Sequence, residues 1–119
     1  HDHRHYSGVL YCTQGSVLCR QFDIVQPEGA PLNIAAGEVP PTGEDFLIRQ
    51  TNATTLRPGD ASTLARDRDN IHEVEAGEAG CTLVDLFTHF RPEARSYSID
   101  WDGKPLSEGS DLYRASWKA

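Results

Sequence analysis

Two histidines two positions apart open the sequence, His1-Asp2-His3, and a third, His72, stands in the run Asp69-Asn70-Ile71-His72-Glu73-Val74. In a strand, residues i and i+2 face the same side. Imidazoles at His1 and His3 then sit about 7 Å apart by strand rise, and both reach one transition metal ion if a third ligand arrives from a neighbouring strand. His72, inside a second strand-like run, is that candidate. Three neutral imidazoles suit divalent iron, zinc, copper or nickel, and they leave coordination positions open for substrate. Singly, each residue has a plainer reading. A histidine at a chain end ordinarily frays in solvent, which is the expectation for His5, and a lone histidine in a strand is ordinarily a satisfied polar residue.

The elements that must position these side chains read as short strands and turns. Segments 7–13 and 17–24 flank Gln14-Gly15, which reads as a tight hairpin that sets Leu10 opposite Cys19 and Gly8 opposite Gln21. Segment 27–43 holds most of the prolines and reads as a long loop or an elaborated hairpin tip. Segments 46–50, 54–56, 61–64, 71–75, 82–87 and 95–101 supply six further strands, with turns at Pro58-Gly59-Asp60 and Ala76-Gly77-Glu78. No window carries sustained helical periodicity. Strands at this spacing predict an all-β barrel or sandwich.

Composition excludes several classes. A chain of 119 residues suffices for one domain with one core. A net charge of -7, with eleven scattered Lys and Arg, argues against nucleic acid, because phosphate binding needs clustered cations. No apolar run approaches the roughly 20 residues that span a bilayer, and no signal peptide is visible. Cys12, Cys19 and Cys81 are odd in number and lack Cys-x-x-Cys spacing, so they read as reduced thiols in a cytoplasmic protein. Glu73, Glu75 and Glu78 read as a solvated edge. Asn52-Ala53-Thr54 fits a glycosylation sequon without other signs of secretion.

His-x-His, five further residues to Gly8 and seven more to Gly15 resembles the first cupin motif, with Gly8 at the place of its usual glutamate. Leu56-Arg57-Pro58-Gly59-Asp60, whose Gly59 lies thirteen residues before His72, resembles the turn that opens the second. The absent glutamate narrows the likeness to the thiol dioxygenases, the cysteine, 3-mercaptopropionate and cysteamine dioxygenase group, which hold iron with three histidines alone. His1-Asp2-His3, Gln14-Gly15, Asn70-Ile71-His72 and 83–87 match that group's segments. Where the cysteine and 3-mercaptopropionate types carry serine, histidine and tyrosine, this chain has Leu83, Asp85 and Phe87. The plant thiol oxidases and the animal cysteamine dioxygenase resemble it more closely there, through an aspartate at the Asp85 position. A carboxylate there either accepts a hydrogen bond from a ligand imidazole or faces solvent. Tyr97 either supplies the hydroxyl missing at Phe87 or packs.

The resemblance implies a single domain over 1–119, a small cupin jelly-roll barrel (double-stranded β-helix) of antiparallel strands. The family's arginine or glutamine that grips a substrate carboxylate precedes the His-x-His. Either an N-terminal segment is lacking, or recognition is done otherwise. The implied activity is that of a non-haem Fe(II) enzyme, with His1, His3 and His72 as metal ligands, Asp85 and Tyr97 as catalytic candidates and no organic cofactor. It would take a small thiol and O2 to a sulfinic acid, as a monomer or homodimer without membrane or nucleic-acid partners. The alternative is a metal cupin acting on another small molecule, or a non-catalytic binding cupin. A copper site built from an N-terminal amine, His1 and His3, as in lytic polysaccharide monooxygenases, leaves the spacing to Gly15 unexplained.

Overall fold

Leu10, Cys12, Val17, Cys19 and Phe22 are spaced through thirteen residues with mostly polar residues between them. That pattern suits a strand buried on one face. The computed structural model, which describes residues 1–3, 6–25, 42–65, 68–89 and 95–118, carries it as one long strand, β1 (Tyr6–Val25). Five more follow: β2 (Asp45–Leu56), β3 (Ala61–Leu64), β4 (Ile71–His89), β5 (Ile99–Pro105) and β6 (Leu112–Trp117). They form one antiparallel sheet in the order β3-β1-β2-β6-β5, and β4 also pairs with β1. The chain is all-β. No helix, and so none long and apolar enough to cross a membrane, occurs among the described residues.

β1 is the spine of this sheet. Its residues 8–11 pair with β3 on one edge and β4 on the other, and residues 17–22 pair with β2 and β4 in the same way. The Pro58-Gly59-Asp60 turn forms as expected, and it carries the chain from β2 to β3 along one edge of β1. Asp60 N–H donates to Arg57 C=O (2.9 Å), while Cys12 N–H donates to Asp60 C=O (3.0 Å) and Gly59 N–H to Cys12 C=O (2.9 Å).

The expected hairpin at Gln14-Gly15 does not form. Strand β1 runs through it, with register shifts between Cys12 and Gln14 and between Gly15 and Val17. Gly15 takes φ 70°, and a Cβ there would collide with the Gly80 carbonyl on β4. The glycine therefore serves a bulge in a long strand rather than a two-residue turn. The bulges exchange the inward parity, from Leu10 and Cys12 before them to Val17 and Cys19 after. Leu10 and Cys19 meet in one core cluster, not as cross-strand partners, and Gly8 faces Leu64 and Phe87 instead of Gln21. The expected turn at Ala76-Gly77-Glu78 is likewise absorbed into β4. Segments 46–50 and 54–56 fuse into β2, β5 starts at Ile99 rather than 95, and β6 has no counterpart among the anticipated strands.

Two clusters make the core. Leu10, Cys12, Val17, Cys19 and Leu56 form one, and Phe22, Ile48, Ile71 and Ala115 the other. Cys12, Cys19 and Cys81 are free thiols, the first two buried. Glu73 and Glu75 are not merely a solvated edge, because Arg20 pairs with both. Asn52 of the sequon donates its amide to buried Gln21 (3.1 Å). The proline-rich stretch lies outside the described residues up to position 41, as does His5.

Candidate metal centre

The tripeptide His1-Asp2-His3 is pinned from two sides. His1 and His72 exchange backbone hydrogen bonds, His72 N–H to His1 C=O (3.1 Å) and His1 N–H to His72 C=O (3.2 Å), as one rung of an antiparallel ladder. On the other side Asp2 N–H donates to Tyr97 C=O (3.0 Å), Tyr97 N–H donates to the Asp2 carboxylate (2.8 Å), and the Ser96 hydroxyl donates to Asp2 C=O (2.6 Å). Asp2 and His3 are fully buried. The three histidines, 71 positions apart at the extremes, are thus brought together by backbone pairing.

Their rings converge. Centroids lie 4.5–4.6 Å apart pairwise, and the candidate ligand atoms all lie within 4.8 Å of one another. The Nε2 atoms of His1 and His72 are 3.1 Å apart. Two nitrogens bound at about 2.1 Å and about 90° to each other are about 3.0 Å apart, so this spacing suits a shared ion. His3 Nδ1 is 2.8 Å from the Asn70 carbonyl. A carbonyl only accepts, so Nδ1 carries the proton and Nε2 keeps its lone pair. His72 Nδ1 is buried without a hydrogen-bond partner.

Electrostatics favour the neutral form, the one that binds a cation, at His3 and His72. Burial, with the neighbouring charges of His3 and the chain's amino group, pushes His72 down to about 3. Burial also lowers His3, against the opposing pull of the Asn70 carbonyl. The donor set fits a first-row divalent ion: three imidazoles, mutually close, with one ring already oriented from behind.

Position 8, a glycine, is closed by Phe87 to any larger side chain. The Phe87 ring packs over Gly8 so closely that a Cβ there would collide with it. The same ring stacks on His3 (5.2 Å, 20°). Tyr6, which sequence reasoning overlooked, stands edge-on to both His3 and Phe87 (5.2 and 5.3 Å) and pairs its hydroxyl with Ser96. Its N–H donates to His3 C=O (3.3 Å), and its place beside His3 left no periodic signal, because residues i and i+3 of a continuous strand face opposite sides.

Two other anticipated residues stand differently. Tyr97 meets the histidine segment through its backbone, while its ring lies edge-on to Trp117 (6.3 Å). Asp85 pairs with Leu10 across β1 and β4, remains exposed, and has its carboxyl raised by partial loss of water. The acceptor at His3 is the Asn70 carbonyl rather than Asp85. A cleft of about 250 Å³ reaches His1 and His72 along a wall of Phe22, Ile48, Ile71 and Trp101, with Glu73 also in its lining. No protein-family model and no curated protein matches the chain.

Proposed function

We propose that this chain is a small cupin barrel acting as a non-haem Fe(II) dioxygenase, with His1, His3 and His72 holding the iron, that oxidises a small thiol to a sulfinic acid. The observation that carries this reading is a three-imidazole cluster with donor atoms within 4.8 Å of one another, beside a position 8 that Phe87 closes to a carboxylate. Bound iron would supply the redox chemistry by which both atoms of O2 are added to sulfur, RSH + O2 giving RSO2H. The protein's part is positional. Backbone pairing holds His1 against His72, and the Asn70 carbonyl orients His3. Phe87 and Tyr6 pack against the His3 ring.

The cleft argues for the substrate class. Among the described residues its lining holds no arginine or lysine and one carboxylate, Glu73, among apolar walls. A substrate carboxylate placed there would lose water without gaining a free cation, because Arg20 beside the cleft is already paired with Glu73. The expected order is cysteamine above 3-mercaptopropionate. Loading with Fe(II) without oxygen, then measuring oxygen uptake with cysteine, cysteamine, 3-mercaptopropionate and an N-terminal cysteine peptide, tests both statements. A preference for 3-mercaptopropionate sinks the substrate class alone, and no uptake with any thiol sinks the dioxygenase. The second reading, a metal cupin with another substrate or none, is favoured by Phe87, which brings no hydroxyl where the resembling enzymes carry one.

A further inference from the structure

The ladder that starts at His1 and His72 should continue two residues on, where His3 and Asn70 come opposite. An ordinary rung there would send His3 N–H to the Asn70 carbonyl. It does not. His3 N–H donates instead to the Asn70 side-chain oxygen (2.9 Å), and the Asn70 amide nitrogen donates back to His3 C=O (2.9 Å). The side-chain amide, which carries the same donor and acceptor as a peptide group, has taken the rung. Its second N–H donates to Ala65 C=O (2.9 Å), which ties the amide to the residue that follows β3. The backbone carbonyl of Asn70, released from the ladder, is the atom that meets His3 Nδ1 at 2.8 Å.

We propose that Asn70 is the positioning residue for His3: its amide replaces a backbone rung and thereby reserves its own carbonyl for the imidazole. One residue then fixes both the peptide and the ring of His3. The ring is preset with Nδ1 protonated and Nε2 presented to His1 and His72 before any ion arrives. Neither Asp nor Ser offers two donors and an acceptor in this planar arrangement, so asparagine is specific to the task. Its neighbour Asp69 holds the left-handed conformation (φ 50°) at the entry to this segment. The consequence for metal affinity rests on the iron-site reading above; the consequence for the ring does not.

The test has two readouts on the metal-free and cobalt-titrated full chain. Nitrogen-15 NMR of the imidazoles reports the His3 tautomer without metal. The Nδ1–H form is expected in the wild type, and a mixture in Asn70→Ala, where the carbonyl returns to the ladder. Cobalt(II) titration should show affinity reduced by about 10 to 100-fold in Asn70→Ala, the usual cost of losing a group that orients a ligand imidazole. In the His3→Ala background the same substitution should leave the nitrogen-15 signals of the remaining imidazoles unaltered, since the effect runs through His3. If Asn70→Ala does not fold, Asn70→Asp, which keeps the acceptor and removes both donors, is read in the same way. An unchanged tautomer together with unchanged affinity overturns the proposal, as does an equal shift of the remaining imidazole signals with and without His3. A wild type that binds no cobalt defeats the metal reading instead, and the tautomer alone then decides the role of Asn70.

Discussion

Two imidazole nitrogens 3.1 Å apart need something between them, either one proton or one cation. In the metal-free protein a proton on one ring serves, and an ion replaces it without rearranging the backbone rung that sets the spacing. His72→Ala should therefore abolish stoichiometric binding of iron or cobalt, because His1 and His3 alone make a weak, open pair. Metal content by elemental analysis checks this, and retention of a full equivalent would exclude the triad. Asp85 leads to a contrary expectation. With His3 Nδ1 already satisfied by Asn70, Asp85→Asn should leave iron affinity unaltered. A loss of about 10 to 100-fold on titration would mean that the carboxylate does reach a ligand ring.

At the scale of elements, the same glycine distinguishes a hairpin from a bulge. A two-residue turn at Gln14-Gly15 would accept Asn at position 15, since type I′ turns favour it. In β1, by contrast, any Cβ at position 15 adopts φ 70° and meets the Gly80 carbonyl. Gly15→Asn should cost about 1–3 kcal/mol in urea unfolding, more than the same change at Gly59, where φ is 96° but the space is open. Equal costs at the two sites would return the hairpin. Periodicity and turn chemistry were enough to read strands and their polarity, the turn at 58–60, and three histidines as one cluster. What they could not reach was whether a glycine ends a strand or bends it. That depends on the facing strand, here on Gly80, which is 65 positions away in the chain. Asn70 and Tyr6 were hidden for a related reason: their roles arise from a rung exchange and from a contact between residues three apart, and neither leaves a repeat in the sequence.

For the whole molecule, the cluster ties the first three residues, the start of β4 and the 96–97 segment into one unit, so its protonation is coupled to folding. His72 falls to about 3 in the fold, from an unfolded value near 6.5, and His3 is also lowered. Below about pH 6.5 the unfolded chain takes up protons that the folded chain refuses, so the unfolded state gains as pH falls. Stability from these groups is fully present above pH 6.5 and is lost progressively toward pH 3, at about 1.4 kcal/mol per pH unit for each proton refused. Asp85, raised in the fold, works the opposite way but is exposed and contributes little. Urea unfolding of the metal-free protein at pH 7, 6, 5 and 4 should show this decline. His72→Gln should flatten it, because the variant has no imidazole to protonate on unfolding. Added divalent metal should move the onset to lower pH, since a bound ion competes with protons for the same lone pairs. A slope of equal size in His72→Gln would assign the acid sensitivity to other groups and leave His72 without a role in it.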